Sequence, residues 1–374
     1  MSKKILFVAT INRHFVCFHL PFFRELKKEG YEIHIAAKDD GYEVPFVDRC
    51  YSLPIERSPI APGNFRACTQ LENIIAAENY SLISCHTPVG GVIARIAARK
   101  SRIRNKTRLV YIAHGFHFFR NAPLINWLLY FPIEYFLARY ADAVVTINSE
   151  DFNFAGKLSC FRNKLHFING IGLNSERFDP DMGLEKSLLR RKFEFSTEDF
   201  VLICIGDFTR DKNQEFIVDN MPELVQIIPE LRIVFLGEGH TLEYIRQKAE
   251  RTNIADKIWF AGQRHDVPEM IAMADVGVSA SLREGLPVSA LEIMQMEKPL
   301  VAPDIRGYRD IIKSGKNGIL FPPGDRKTFI SNISALYRDE KLRREIGAAA
   351  KESLDKFKLN NILPNLMNIY QKYL

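Results

Sequence analysis

Short apolar runs alternate with amphipathic stretches along the chain, and this alternation limits the possible folds more than any other feature. The first run, Lys4–Thr10, is continuous and rich in branched residues, which is typical of a parallel strand buried on both faces. The next stretch, His19–Glu29, is amphipathic, and Gly30 ends it in the manner of a helix C-cap. A strand followed by a helix, repeated in this way, predicts a doubly wound parallel sheet.

The same order continues through the first half and repeats in the second. Further strands are predicted at Glu32–Ala37, Leu82–His86, Leu109–Ala113, Ala143–Ile147, Phe200–Ile205, Arg232–Leu236, Ile258–Ala261, Val276–Ser279 and Pro299–Ala302. Further helices are predicted at Thr69–Glu78, Gly91–Lys100, Gln214–Ile228, Leu242–Thr252, Val267–Ala274 and Val288–Glu297. Because 374 residues are too many for one ordinary domain, we expect two such α/β domains, joined near Asn169–Pro180.

Composition excludes several classes of protein. Hydrophobic residues make up 47% of the chain and charged residues 26%, which are the proportions of a globular enzyme. The longest apolar run, Leu124–Ala138, contains polar residues and a proline, and it is shorter than the ~20 residues of a membrane span. No cleavage site follows Lys3-Lys4, so we expect a cytoplasmic protein. The six cysteines have no metal-ligand spacing.

The excess positive charge lies in the first half, where residues 1–180 carry 23 lysines and arginines against 16 acidic residues. Part of it is the run Arg99–Arg108, and an aromatic segment, Phe116–Tyr140, follows. These two features fit a protein that binds an anionic membrane surface. A solvated loop and a buried helix pair explain them equally well, and both alternatives stay open. No zinc-finger spacing or RNA-binding signature is present, so nucleic acid is not an expected partner.

Ligands of open α/β sheets bind beyond the carboxyl ends of the strands, so the strand-to-helix turns are the places to look for chemistry. In the most informative turn, Glu284 precedes a predicted helix start near Pro287, and Glu292 follows eight residues after Glu284. Gly285 lets the backbone approach a ligand, and the free N–H groups of the first helical turn offer an anion site. This arrangement suits a charged, hydroxyl-rich ligand; the alternative is an exposed turn and a solvated helix face.

Two other turns carry candidate groups. Arg210 and Lys212 follow a predicted strand, where a cation can stabilise charge on a leaving diphosphate. His114 and His117 follow another strand, where imidazoles can serve as hydrogen-bond donors or acid/base groups. A solvated basic turn and a structural histidine are the alternatives.

These segments resemble glycosyltransferase family 4. Glu284–Glu292 is similar to the family signature E-x7-E in its common form E-G-(F/L)-P-x4-E, and Lys298–Ala302 and Gly307–Ile312 resemble the segments that follow it. Lys212 matches the family pattern G-R-x4-K-(G/N), although Asp207 occupies the usual arginine position. His114-Gly115 resembles the (T/V)-x-H-G turn.

The resemblance covers essentially the whole chain and implies an α/β protein of the GT-B fold, with two Rossmann-like domains that face a central cleft. It implies an acceptor-binding domain over residues 1–172 and a nucleotide-sugar-binding domain over residues 173–356. A helix over residues 357–374 would return to the first domain.

The resemblance also implies roles for individual residues. The catalytic group would comprise Glu284 and His114 at the transferred sugar and Lys212 and Arg210 at the diphosphate, with Arg210 replacing the missing arginine. The donor-binding residues would be Glu292, which contacts the ribose, together with Gly285, Leu286, Pro287, Val288, Gly206, Gly237 and Gly262. The acceptor side would include His14, His19 and His117.

The implied function is that of a retaining glycosyltransferase in the synthesis of bacterial surface polysaccharide. It would move a hexose or N-acetylhexosamine from a UDP-sugar to a glycan acceptor, carried on polyprenyl diphosphate, at the inner face of the plasma membrane. The subgroup that builds capsule or exopolysaccharide is indicated by Thr10–His14 and His19-Leu20-Pro21. Because Arg210 and Lys212 would replace a metal, neither a metal nor another cofactor is expected. The alternatives are a GT-B epimerase or phosphorylase, and a catalytically silent nucleotide-sugar-binding subunit.

Overall fold

The computed structural model describes residues 3–120 and 122–374. The chain divides into two compact units. Unit 1 comprises Met1–Gly172 and Asn360–Leu374, and unit 2 comprises Leu173–Leu359.

Unit 1 contains a seven-stranded parallel sheet with the strand order β3-β2-β1-β4-β5-β6-β7. Its strands are β1 Lys4–Ile11, β2 Glu32–Lys38, β3 Arg49–Ser52, β4 Leu82–His86, β5 Arg108–Ala113, β6 Ala143–Thr146 and β7 Leu165–Phe167. Its helices are α1 Asn12–Phe18, α2 Leu20–Lys28, α3 Pro62–Glu78, α4 Pro88–Ala97, α5 Arg99–Arg104, α6 Leu124–Leu137 and α7 Ser149–Ala155. Short 3₁₀ helices lie at Ala138–Tyr140 and Ser159–Phe161.

Unit 2 contains a six-stranded parallel sheet with the order β10-β9-β8-β11-β12-β13. Its strands are β8 Phe200–Ile205, β9 Leu231–Leu236, β10 Ile258–Gly262, β11 Val276–Val278, β12 Leu300–Pro303 and β13 Ile319–Phe321. Its helices are α8 Lys186–Lys192, α9 Gln214–Ile227, α10 Leu242–Arg251, α11 Val267–Met273, α12 Val288–Gln295, α13 Arg306–Arg309, α14 Arg326–Arg338 and α15 Glu340–Glu352. The 3₁₀ helices are Ala255–Lys257 and Asp355–Phe357.

The last helix, α16 Leu359–Tyr373, packs on unit 1 although it follows unit 2 in the chain. The hydroxyl groups of Tyr370 and Ser84 are hydrogen-bonded at 2.9 Å, which joins this helix to β4. Tyr373 similarly bonds the ring of His166 on β7 at 3.1 Å. Polar contacts therefore fix α16 against the sheet.

The central strands are buried because their side chains are apolar on both faces. Ile5 through Val8 of β1 are fully buried and pair in register with Ile33 through Ala36 on one side and Leu82 through Cys85 on the other. Helices cover both faces of such a sheet, so a continuous apolar strand is stable only in its middle. The predicted α/β class with two doubly wound domains is confirmed.

The differences from the predictions are local. Helix α1, which begins at Asn12 directly after β1, was not predicted. Helix α3 begins at Pro62, seven residues before the predicted Thr69, because proline is favourable in the first turn of a helix. The strands β3, β7 and β13 were not predicted; each is a short edge strand with mostly exposed or half-buried side chains, so it lacks the fully buried apolar run of the central strands.

Within the described ranges, no helix combines the length and apolar character needed to cross a bilayer.

Candidate functional site

Two turns of unit 2, one after β8 and one after β11, are joined by hydrogen bonds. The strands β8 and β11 are parallel neighbours, so their carboxyl ends meet at one edge of the sheet. The amide N of Leu282 donates to the carbonyl O of Asp211 at 2.7 Å. The side chain of Asn213 donates to the carbonyl O of Ala280 at 3.2 Å. These contacts hold the two predicted donor turns as one rigid element.

These two turns bring together Lys212, which follows β8, and Glu284, which follows β11. Lys212 Nζ donates to Glu284 Oε1 at 2.6 Å, and Glu284 is only 9% exposed. Burial acts to lower the pKa of Lys212, but the attraction and hydrogen bond of Glu284, helped by Cys204 and Asp207, raise it above its ordinary value. Lys212 is therefore a permanent cation at neutral pH, held at the carboxyl edge of the sheet.

The backbone of Glu284 is held by the segment that follows β12. The buried guanidinium of Arg306 donates from Nε to the carbonyl O of Glu284 at 2.9 Å. A Cβ on Gly307 would lie 2.9 Å from Glu284 Cβ and 3.0 Å from the carbonyl O of Gly285, so only glycine fits there. Sequence reasoning included Gly307 in the family pattern but missed Arg306. A charged residue between two motif segments was the signal that could have found it.

Three of the predicted donor-binding glycines meet at the ends of β8, β9 and β10. Gly237 has φ +137°, and a Cβ there would lie 2.2 Å from the carbonyl O of Gly206. The amide N of Gly237 donates to the carbonyl O of Gly262 at 2.8 Å. Glycine is therefore required at position 237 by the close packing of the turns after β8 and β9.

Helix α12 carries the second acidic residue of the signature. Pro287 precedes the helix as its N-cap, and Leu286 beside it is 7% exposed. Burial raises the pKa of the Glu292 carboxyl to about 7, against a smaller lowering effect of the positive charge of Arg177. Glu292 therefore exchanges a proton near neutral pH, so it can donate or accept a hydrogen bond with a ligand hydroxyl.

Arg210 is not part of the Lys212–Glu284 contact. Its side chain is exposed and lines a cavity of about 580 Å³ together with His240, Tyr244 and Leu282. Its guanidinium forms no hydrogen bond or ion pair with any residue that the structure describes. The predicted replacement of the missing arginine at Asp207 stays a prediction.

In unit 1, three of the predicted histidines lie in one cluster with a fourth. His14 on α1, His19 between α1 and α2, His86 at the end of β4 and His114 after β5 each place a ring nitrogen within 4.8 Å of the others. His14 Nε2 lies 3.2 Å from His19 Nε2, and His86 Nδ1 lies 3.3 Å from His114 Nε2. We define these four residues as the histidine cluster.

The histidine cluster is buried and uncharged. Burial lowers the pKa of His114 to about 4 and the pKa of each of the other three well below its usual range. His86 was not predicted as a site residue, although it is the last residue of a predicted strand and so lies at the ligand-binding edge. His117 lies outside the cluster, with its ring centroid 4.4 Å from that of Tyr130.

The aromatic segment of unit 1 is divided between core and surface. Phe116 and Phe118 are buried, but α6 exposes Leu124, Ile125 and Leu128 at 80%, 64% and 74%. The segment is therefore only partly a buried helix, and membrane binding stays a prediction. The neighbouring basic run is partly neutralised, because Arg102 and Arg108 pair with Asp142 and Lys100 pairs with Glu72.

Comparison with known proteins gives the family. Residues 185–353 match the family described as Glycosyl transferases group 1, and residues 4–148 match the family described as Glycosyl transferase 4-like. The putative glycosyltransferase EpsD of Bacillus subtilis (strain 168) is 41% identical over 100% of this chain and 98% of its own length. The chain belongs to glycosyltransferase family 4.

Two other comparisons place this family 4 glycosyltransferase among its relatives. An Escherichia coli UDP-Gal:alpha-D-GlcNAc-diphosphoundecaprenol alpha-1,3-galactosyltransferase is 24% identical, over 86% of this chain and 84% of that protein. The crystal structure of Anabaena HepE in complex with UDP and glucose has a TM-score of 0.80 at 18% identity, covering 99% of each chain. The predicted GT-B fold is confirmed for this glycosyltransferase.

Proposed function

We propose that this glycosyltransferase moves a hexose or N-acetylhexosamine from a UDP-sugar, with retention, to a glycan acceptor linked to polyprenyl diphosphate. The observation that carries the proposal is the 2.6 Å contact between Lys212 and Glu284, at the sheet edge where the backbones of Gly206 and Gly237 pack together. The E. coli relative is named for a UDP-sugar and a diphosphoundecaprenol acceptor, and HepE was solved with UDP, which supports the choice of donor and acceptor class.

The donor diphosphate is the group that Lys212 is suited to bind. As the bond between the sugar and the diphosphate breaks, negative charge grows on the leaving oxygen. A preorganised ammonium stabilises that charge, and partial burial strengthens the effect. The main-chain N–H groups at the start of α12, near Val288, add donors to the same anion.

Glu284 has two tasks in this proposal. Its Oε1 holds Lys212 in place, while its other carboxylate oxygen can accept a hydrogen bond from a sugar hydroxyl. Glu292, with a pKa of about 7, is suited to the ribose hydroxyls. His114 as a contact of the transferred sugar stays a prediction.

The chemical step needs no nucleophile from the protein. In a front-face displacement, the departing diphosphate oxygen accepts the proton of the incoming acceptor hydroxyl on the same face of the sugar. The configuration at the anomeric carbon is then retained. Positioning and charge stabilisation supply the catalysis, and the donor side uses Lys212 rather than a metal.

The acceptor class also agrees with the surface of unit 1. The exposed apolar residues of α6, with Ile103 of α5 at 84% exposure, lie on a unit that carries the excess positive charge of the chain. We propose that this surface holds the enzyme against the anionic inner leaflet, where a polyprenyl-linked acceptor resides.

The experiment that tests the function is a transfer assay with a panel of UDP-, GDP- and ADP-sugars and a synthetic polyprenyl-diphosphate-linked acceptor. We expect one UDP-sugar to give a glycosylated acceptor whose new linkage, by NMR, keeps the anomeric configuration of the donor. Interconversion of UDP-sugars without acceptor would identify an epimerase. UDP-sugar binding without transfer would identify a silent subunit, and an inverted linkage would overturn the retaining mechanism.

A further inference from the structure

We propose that the histidine cluster of unit 1 is a binding site for a divalent transition metal of the zinc class, with His14, His19, His86 and His114 as its ligands. The inference is independent of the donor-side residues Lys212 and Glu284, which belong to unit 2. It assigns His114, His14 and His19 to a metal instead of the sugar and acceptor contacts that the resemblance implies, and it departs from the prediction that the chain holds no metal.

The spacing of the ring nitrogens is the first argument. In a tetrahedral site with Zn–N bonds of about 2.0–2.1 Å, neighbouring ligand nitrogens lie roughly 3.3–3.4 Å apart. The His14–His19 and His86–His114 pairs already have this separation, at 3.2 and 3.3 Å. All four nitrogens fall within 4.8 Å, so the two pairs must approach each other by only about 1.5 Å at most to enclose a metal. Rotation of the rings of His14 and His114, the two more exposed members of the cluster, supplies movements of this size.

The fold, rather than the local sequence, converges these side chains. His86 ends β4 and His114 follows β5, and β4 and β5 are paired neighbours at the carboxyl edge of the sheet. His14 and His19 approach from α1 and from the junction between α1 and α2, after the adjacent strand β1. The four imidazoles come from the segments after three neighbouring strands, at the carboxyl edge of the unit 1 sheet. A single turn could not supply four metal ligands in this arrangement.

The surroundings of His86 resemble the outer shell of a metal site. Its Nε2 is 3.0 Å from Ser84 Oγ, and Ser84 Oγ is 2.9 Å from the hydroxyl of Tyr370. This chain of hydrogen bonds fixes the ring so that Nδ1 faces the cluster, and such outer partners orient histidine ligands in metalloproteins. Phe7 stacks near His86 with ring centroids 6.1 Å apart, which further limits motion of that ring.

The donor atoms select the type of metal, since each member of the cluster offers an imidazole nitrogen. Mg²⁺ and Ca²⁺ prefer oxygen ligands, whereas neutral imidazole suits Zn²⁺, Co²⁺, Ni²⁺ and Cu²⁺. His14 is 9% exposed and His114 is partly exposed, so a metal can enter from solvent.

The test uses the tag-free full-length chain, stripped with dipicolinate and assayed without donor or acceptor. We expect it to bind one equivalent of Zn²⁺ by calorimetry and elemental analysis, and to show the intense visible bands of tetrahedral Co²⁺. Zn²⁺ should also raise its melting temperature in a concentration-dependent way. A chain that binds no Zn²⁺, or an octahedral Co²⁺ spectrum, would overturn the proposal whatever the transfer assay shows.

Variants separate specific from incidental binding. H86Q and H114Q should lose the tetrahedral Co²⁺ spectrum, whereas H117Q, which changes a histidine outside the cluster, should keep it. The outer-shell change S84A removes the direct hydrogen-bond partner of His86, leaves all four ligands intact and should weaken Zn²⁺ binding about 10-fold or more. Circular dichroism of each variant checks its fold. Equal binding by H86Q, H114Q and the parent chain would refute the assignment of ligands.

Discussion

Lys212 and Glu284 form a hydrogen-bonded ion pair although 72 positions separate them in the chain. The pair exists because the turn after β8 and the turn after β11 lie side by side and are joined through Asp211 and Leu282. Neither side chain would hold its position alone, since each is fixed partly by the other. Changing each partner in turn therefore separates the role of the cation from that of the carboxylate.

Removing the Lys212 ammonium should impair transfer far more than binding. We expect Lys212→Ala to lower kcat about 10²–10³-fold, the usual cost of losing one preorganised group that stabilises transition-state charge. Arg283→Ala is the matched control, because Arg283 also pairs with an acid of the joined turns, Asp211, but at the surface. Comparable losses of kcat in both variants would show that Lys212 acts only by holding the turns together.

Glu284→Gln should change the pH dependence of the reaction as well as its rate. Without the carboxylate, burial becomes the dominant influence and lowers the pKa of Lys212, so the alkaline limb of the pH–rate profile moves to lower pH. Glu284→Asp keeps the negative charge and should retain more of the original limb. If the alkaline limb of Glu284→Gln lies at the same pH as that of wild type, Lys212 is not the group whose titration produces that limb.

The same pair makes a prediction for stability. Because the folded-state pKa of Lys212 is raised, its contribution to stability is fully present below its ordinary pKa of 10.5 and is lost as pH rises through the folded value. The difference in free energy of unfolding between wild type and Glu284→Gln should therefore shrink at alkaline pH, as pH rises first through the lowered pKa of Lys212 in the variant and then through its raised pKa in wild type. Urea denaturation at pH 8 and at pH 11 measures it; a difference lost already between pH 6 and 8 would contradict the assignment.

The buried carboxylate of Glu292 is expected to lower the free energy of unfolding of the enzyme at neutral pH, although it contributes to donor binding. Its folded-state pKa of about 7 lies above the ordinary 4.5, so the unfolded chain releases this proton more easily and stability falls as pH rises between those values. Glu292→Gln should match wild type at pH 4 and exceed its free energy of unfolding by about 1–3 kcal/mol at pH 8. The variant should also bind the UDP-sugar more weakly.

Urea unfolding at both pH values and calorimetry with the donor check the two expectations for Glu292 separately. Equal stability at pH 8 would show that the carboxylate is not desolvated in the free enzyme. Unchanged donor affinity would remove Glu292 from the ribose site.

The membrane proposal predicts a specific loss of vesicle binding. Leu128→Ser should reduce co-sedimentation with phosphatidylglycerol vesicles at low salt, because a 74% exposed leucine of α6 would no longer enter the interface. Leu188→Ser on α8 of unit 2 is the control, since Leu188 is similarly exposed at 54%. High salt should weaken binding of the parent chain. Failure of the parent chain to sediment with anionic vesicles would refute the proposal.

Patterns along the sequence were sufficient to predict the two-domain α/β architecture and to identify the donor-binding signature. The apolar runs predicted nearly every central strand, since a strand buried on both faces needs a continuous apolar sequence. The spacing of Glu284 and Glu292, with Gly285 and Pro287 between them, was enough to identify the donor turn. The short edge strands escaped prediction because they are only partly buried and so do not need a continuous apolar run.

Which side chains meet depends on the tertiary structure. Sequence reasoning grouped Lys212 with Arg210, but only Lys212 contacts Glu284, whereas the exposed Arg210 side chain lines a cavity with His240 and Tyr244. It treated His114 separately from His14 and His19, and it passed over His86. Contacts between strand ends depend on the order of strands in the sheet, which no local period encodes. The fold class and the family therefore follow from patterns along the chain, while the ion pair and the histidine cluster follow from the order of the strands.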